Sequence, residues 1–108
     1  MASKVYFEEL RTLASGGISA AYASVGVPTA NPIRIFCISN NTQGDMLFTT
    51  DTSRDEMFVP AGTFRLYDLQ SNINPQFDDK YVLQIGTQFS VKQLTAPVAG
   101  SVYIECLH

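Results

Sequence analysis

The chain is short of the residue types from which most active sites are built. Its 108 residues include no tryptophan, two cysteines and one histidine, the terminal His108. A histidine at a chain end is usually solvated, and a Ser–His or Cys–His pair would have to be built on that terminus. Zinc sites need Cys and His at characteristic spacings, which Cys37 and Cys106 do not provide. We therefore expect no catalytic residue, no metal ligand and no cofactor.

Charged residues are also scarce. They make up 16% of the chain, against about 25% in a typical globular protein. The seven Lys and Arg residues are scattered singly and the net charge is −3. Nucleic-acid binding requires a basic face, so we expect no nucleic-acid partner. A small domain with few charges exposes much neutral and apolar surface, which favours partial covering by another protein.

Long hydrophobic runs are absent. The longest are a few residues, too short to span a bilayer, and the N-terminus lacks the pattern of a secretory signal. We therefore expect no membrane association and a chain made and kept in a cytosol-like compartment. Disulfides are disfavoured there. Because Cys37 and Cys106 both lie in apolar, strand-like runs, they are predicted to be buried thiols that pack as small hydrophobes.

What the sequence does contain is a series of short strand patterns. Stretches rich in Val, Ile, Phe, Tyr and Thr alternate with turn residues, and no segment sustains a helical period. The predicted strands cover residues 18–25, 33–38, 46–50, 57–59, 63–69, 81–85, 88–92 and 101–107. This pattern predicts an all-β, single-domain antiparallel β-sandwich, jelly-roll or Ig-like, with a small barrel as the alternative.

The N-terminal segment, residues 1–13, is less regular and precedes a glycine pair, Gly16 and Gly17. It is compatible with a helical turn or with a strand. Tyr6, Phe7 and Leu10 lie outside the clearer strands. One interpretation is an arm, residues 1–13, that docks on a neighbouring subunit beside a sandwich domain, residues 14–108. The other is that these side chains fill the sandwich core.

The motif Asn40-Asn41-Thr42 matches the acceptor pattern for N-linked sugar. Without a secretory signal we expect no modification. Asn and Asp side chains bond to nearby backbone and Gly44 can supply a positive φ, so residues 39–45 are predicted to form a β-hairpin or an inter-strand loop. Because exposed loops often contact partners, the three motif residues are candidate interaction residues.

Acidic residues cluster once in the middle of the chain and once later, at Asp78 and Asp79. Asp51, Asp55 and Glu56 fall within six residues, without the glycine and alternating acids of a calcium loop. We predict solvated loop charges, with Asp51 and Asp55 as candidate interaction residues. A hydrolase would require one of the three acids of residues 51–56 to be buried with a raised pKa.

Seven segments, taken in their order along the chain, resemble the segments of a known protein family. They are LRTLA (10–14), SAAYASVG (19–26), NPIR (31–34), SNNT (39–42), VPAGTF (59–64), IGTQFSVK (85–92) and GSVYIE (100–105). In this order the chain, from Leu10 to Leu107, resembles a family of small tailed-bacteriophage virion proteins.

The resemblance implies a non-enzymatic β-sandwich subunit present in many copies in a virion and made in the host bacterial cytoplasm. It implies a place at the head–tail junction or tail, as a neck, adaptor or fibre-attachment component, or alternatively in capsid decoration. The implied partners are copies of the chain itself and other virion proteins of the portal, neck, tail or capsid. No catalytic residue comes with it.

A second functional class stays open beside this one. A glycan- or ligand-binding β-sandwich module would use aromatic platforms and acidic loops. The tyrosines available as platforms are Tyr22, Tyr67, Tyr81 and Tyr103.

Overall fold

Strands form the regular structure of the described residues, 6–69 and 82–108, in the computed structural model, apart from one 3₁₀ turn at Ser15–Gly17. They are β1 (Arg11–Ala14), β2 (Ala23–Ser24), β3 (Ile35–Thr42), β4 (Met46–Thr49), β5 (Met57–Val59), β6 (Phe64–Asp68), β7 (Ser90–Gln93) and β8 (Gly100–Leu107).

These strands form two four-stranded antiparallel sheets. The first sheet has the order β1-β8-β3-β6 and the second has the order β2-β7-β4-β5. β1 pairs with β8, β2 with β7, β3 with β6 and β4 with β5. The first four strands therefore pair with the last four as in one long antiparallel hairpin, which wraps to form two sheets. This is the order of a jelly roll. The predicted all-β sandwich is confirmed, in its jelly-roll form rather than its Ig-like form.

The core lies between the sheets, on the faces that strand alternation selects. In β8, Val102, Ile104 and Cys106 are buried, as their shared face predicts. Phe36 and Ile38 of β3 lie on the same inner face of the first sheet. The second sheet and the connections supply the remaining buried hydrophobic residues: Ile18, Val25, Ile33, Met46, Phe48, Val59, Phe89 and Val91.

Most predicted strands lie within two residues of the observed bounds, but three differ. β3 continues to Thr42, four residues beyond the predicted end. Of the predicted strand over residues 18–25, only Ala23–Ser24 pairs as a strand. In the predicted strand over residues 81–85, Leu83 forms only an isolated bridge with Ile33. The predicted loop over residues 71–80, with Asp78, Asp79 and Tyr81, lies outside the described residues.

The N-terminal segment lies along β8 as the outer strand of the first sheet. The backbone N–H groups of Tyr6 and His108 each donate to the other's carbonyl oxygen, at 2.9 and 2.8 Å. The Glu8 N–H donates to the Cys106 carbonyl oxygen at 2.9 Å. The predicted division between residues 13 and 14 falls inside β1, so residues 6–13 belong to the sandwich. Docking of this segment on a neighbouring subunit stays a prediction.

This outer strand contains a bulge. Phe7 lies opposite Leu107, whereas Arg11 lies opposite Ile104. Four residues on the N-terminal strand therefore match three on β8, and one extra residue is accommodated between them.

The two cysteines lie on different faces, and both are free thiols. Cys106 is buried, and burial raises the pKa of its thiol to about 11. Cys37 is only half-buried on the outer face of the first sheet, where it pairs with Glu105 and Leu66. The prediction of a buried thiol is therefore wrong for Cys37, because β3 alternates and Phe36 and Ile38 take the inner positions.

Candidate functional site

The three predicted sets of interaction residues lie apart in the fold. Phe7 lies opposite Leu107 at one end of β8, and Asn41 lies opposite Ser101 near the other end. Six residues along a strand correspond to about 20 Å. Asp51 and Asp55 belong to the connection between β4 and β5 of the second sheet. The structure does not combine these sets into one site.

Asn40 and Thr42 are buried, at 1% and 4% exposure, so the prediction of an exposed loop is wrong for both. The Asn40 amide nitrogen donates to the carbonyl oxygens of Gly44 and Val59, at 2.8 and 2.9 Å. Its amide oxygen accepts from the Thr42 N–H and hydroxyl, at 3.2 and 2.6 Å. Both amide hydrogens are therefore engaged in the folded chain, which leaves the sugar-acceptor nitrogen inaccessible. Asn41 alone of the motif is exposed.

The connection after β3 crosses from the first sheet to the second, so it is not a hairpin. It is also shorter than predicted, because β3 extends to Thr42 and β4 begins at Met46. Gly44 is not among the glycines with positive φ, contrary to the prediction. It is needed for close packing instead, since a Cβ atom there would overlap the backbone carbonyl oxygen of Thr95.

The acidic connection between β4 and β5 is held by local hydrogen bonds. Asp51 accepts from the N–H and hydroxyl of Ser53 at 3.0 and 2.7 Å, and these bonds lower its pKa. Burial alone would raise the pKa of Glu56, but bonds from the N–H and hydroxyl of Thr50 outweigh it and the pKa is lowered. Neither carboxyl group has the raised pKa that the hydrolase hypothesis required.

Asp55 belongs to a cluster with Tyr22 and Lys92. The Tyr22 hydroxyl donates to Asp55 Oδ1 at 2.6 Å, and Lys92 Nζ lies 3.0 Å from the same oxygen. Lys92 Nζ also lies 4.8 Å from the centre of the Tyr22 ring. The bonds from Tyr22 and then Lys92 lower the pKa of Asp55, while burial and the bond to Asp55 raise the pKa of Tyr22. The cluster therefore ties the acidic connection to β7 and to the segment before β2.

A buried ion pair links the N-terminal strand to the segment between β2 and β3. Arg11 Nη2 lies 2.7 Å from Glu8 Oε1, and the two side chains are 3% and 4% exposed. Arg11 Nε also donates to the Val27 carbonyl oxygen at 2.8 Å. Glu8 accepts from the Ala30 N–H at 3.1 Å and from Asn31 Nδ2 at 2.9 Å.

This pair could not be read from the sequence. In a regular strand, residues three apart point to opposite faces, and only the bulge brings Glu8 and Arg11 together. Burial alone would raise the pKa of Glu8, but the hydrogen bonds from Asn31 and Arg11 outweigh it and the pKa is lowered.

The outer face of the first sheet carries a groove. Ser39 pairs with Tyr103 on one side and with Phe64 on the other, so two aromatic side chains flank a small one in a single row. The groove has a volume of about 340 Å³ and is lined by residues 39–41, Gly62, Thr63, Phe64 and Tyr103. We call it the outer groove.

Of the three candidate platform tyrosines within the described residues, Tyr22, Tyr67 and Tyr103, only Tyr103 lines this groove. The Tyr22 hydroxyl donates a hydrogen bond to Asp55, and the Tyr22 ring lies beside Lys92. Tyr67 stacks on Phe36 with ring centres 4.9 Å apart, and Tyr81 lies outside the described residues. Among the parts of the chain that the structure describes, the Tyr103 hydroxyl has no hydrogen-bond partner.

Large apolar side chains are exposed at both edges of the first sheet. Phe7 and Leu10 of the N-terminal strand are 72% and 53% exposed, and we call them the N-terminal patch; Tyr6 is 53% exposed and stacks on His108. Phe64 and Leu66 form a β6 patch and are 63% and 62% exposed. The sequence left open whether Tyr6, Phe7 and Leu10 dock on a neighbour or fill the core, and it did not show that β6 would be an edge strand with Phe64 and Leu66 in solvent.

Within residues 6–69 and 82–108, no group of three or more His, Cys, Asp or Glu side chains could hold a metal ion. In the same residues no helix has the length and apolar character needed to cross a membrane. No protein family, no curated protein and no solved structure matches this chain.

Proposed function

We propose that this chain is a non-enzymatic structural subunit of a tailed-bacteriophage virion, present in multiple copies. Its partners are copies of itself and other virion proteins of the portal, neck, tail or capsid. The preferred position is the head–tail junction or tail, and capsid decoration is the alternative.

The proposal depends on the positions of the two exposed apolar patches on the first sheet. The N-terminal patch and the β6 patch lie at opposite edges of the same sheet. Exposed apolar side chains grouped in this way indicate protein contact surfaces. Different patches on opposite sides of a subunit suit a head-to-tail contact, which generates a ring when the rotation closes. In such a ring, many weak contacts add up to a stable assembly.

The architecture supports the proposal by analogy. Jelly rolls occur in viral capsid proteins, although a fold alone does not define a function. The resemblance of the ordered segments between Leu10 and Leu107 to small phage virion proteins points in the same direction. The pKa values of Asp51, Asp55 and Glu56 are lowered by their hydrogen-bond partners, so none of them is the carboxyl group of raised pKa that the hydrolase alternative requires.

Sedimentation of the purified chain tests the proposal directly. We expect oligomers that persist at high salt, because apolar contacts are not screened as exposed charge pairs are. The double substitution Phe7→Ser with Leu10→Ser, or the single substitution Leu66→Ser, should lower the oligomeric mass. Val98→Ser is the matched control, since Val98 is 86% exposed and belongs to neither patch.

The second measurement is the copy number of the chain in purified particles of the virus that encodes it. A small fixed copy number places it at the head–tail junction or tail, and a number that grows with capsid size places it in decoration. Absence from particles, together with a monomer at every concentration, would contradict the proposal. Deletion of residues 1–13 is unsuitable as a test, because it removes most of β1 and the Glu8–Arg11 pair.

A further inference from the structure

We propose that the outer groove binds a neutral sugar ring between Tyr103 and Phe64. This inference goes beyond the virion role. Phe64 belongs both to the β6 patch and to the outer groove, so a neighbouring subunit on that patch would compete with a sugar for this side chain.

The spacing of the strands that carry the two aromatic residues leaves room for one sugar ring. Tyr103 and Phe64 lie two strands apart in one row, with Ser39 between them, so their backbones are separated by about 10 Å. A ring inserted between two aromatic faces needs about 3.5–4 Å on each side. Ser39, with its small side chain, leaves that space open above β3. Carbohydrate C–H groups can pack on the apolar aromatic faces while the ring hydroxyls remain free for hydrogen bonds.

The polar groups of the groove are available for such bonds. The side chains of Ser39, Asn41 and Tyr103 make no hydrogen bond to any residue within 6–69 and 82–108. Together they offer two hydroxyl groups and one amide, each able to donate and to accept. A ring that carries several hydroxyl groups matches this set better than a purely apolar ligand does.

The lack of charged side chains in the described lining favours a neutral ligand. None of the lining residues within 6–69 and 82–108 is charged, so these residues offer no cation to an anionic ligand such as a phosphate or a sulfated sugar. The jelly-roll architecture also occurs in lectin domains, which supports the proposal by analogy only.

Binding can be tested by two-dimensional amide NMR during titration with the methyl glycosides of glucose, galactose and N-acetylglucosamine. We expect at least one of them to shift the amide signals of residues 39–41, 62–64 and 103, with a dissociation constant on the order of millimolar. Phe64→Ser and Tyr103→Ser should each weaken binding by about tenfold.

Ser39→Leu is the sharper variant. It fills the space between the two rings while both rings remain, so it should abolish binding. Phe58→Ser removes an exposed aromatic side chain from the second sheet, where Phe58 is 46% exposed, and should leave binding unchanged. The thermal midpoint of each variant is measured first, so that loss of fold is not counted as loss of binding.

The proposal is overturned if none of the three glycosides shifts these signals, if the shifts map elsewhere, or if Ser39→Leu binds as well as the parent chain. A monomeric chain absent from particles that nevertheless binds a glycoside would contradict the virion role and support the groove. An oligomeric virion protein whose dissociated Leu66→Ser variant binds none of the glycosides would support the virion role and contradict the groove.

Discussion

Asn40 donates both hydrogens of its amide to carbonyl oxygens next to the crossover between the sheets, those of Gly44 and Val59. Replacing Asn40 with Ala would leave both oxygens without this donor in a buried environment, and each lost partner costs about 1–3 kcal/mol. We expect Asn40→Ala to lower the free energy of unfolding by about 2–4 kcal/mol, as measured by urea denaturation.

Asn41→Ala provides the control for this prediction. Asn41 is exposed on the outer face, and its replacement should change the free energy of unfolding by no more than about 0.5 kcal/mol. Equal effects of the two substitutions would show that the hydrogen bonds of Asn40 do not stabilise the crossover.

Among the elements, the N-terminal strand is held by the buried Glu8–Arg11 ion pair. Glu8→Gln keeps the shape of the side chain but leaves Arg11 buried without an opposite charge. Breaking a buried ion pair from one side costs about 3–5 kcal/mol, and we expect a loss near the lower end because the new amide can still accept hydrogen bonds. Glu9→Gln, at an exposed neighbouring position, should change stability by less than about 0.5 kcal/mol.

The same pair predicts a pH dependence. The pKa of Glu8 is lowered from its ordinary value of 4.5, so the folded chain holds the carboxylate form more tightly than the unfolded chain does. The stabilisation is therefore complete above about pH 4.5 and is lost as the pH falls through the folded pKa. The difference in unfolding free energy between the parent chain and Glu8→Gln should shrink over this acidic range. A difference that stays constant with pH would contradict an ionised Glu8 as the source of the stabilisation.

For the whole molecule, the jelly-roll order implies slow folding. β1 pairs with β8, where Arg11 lies opposite Ile104, and β2 pairs with β7, where Ala23 lies opposite Val91. Contacts between such distant residues require the closure of long loops before they stabilise the chain. We expect refolding in about milliseconds to seconds, measured by stopped-flow tyrosine fluorescence after dilution from urea. Refolding within microseconds would contradict this dependence on distant pairing.

The sequence by itself determined the fold class and most of the strands. The alternation of Val102, Ile104 and Cys106 predicted which face of β8 is buried, because side chains in a strand point alternately to its two sides. The single histidine and the scattered basic residues are also visible in the sequence, and the absence of catalysis and of nucleic-acid binding that they indicate stays a prediction. These inferences depend only on residue types and on the pattern of neighbouring residues along the chain.

Only the tertiary structure decided the rest. Asn40 and Thr42 have the composition of a turn, yet they extend β3 because they pair with Val102 and Gly100 of β8. The Glu8–Arg11 pair exists because a bulge changes the register against β8. The outer groove exists because β8 and β6 lie on either side of β3 and bring Tyr103 and Phe64 to flank Ser39. Each of these features depends on pairing between distant segments, which local sequence patterns do not encode.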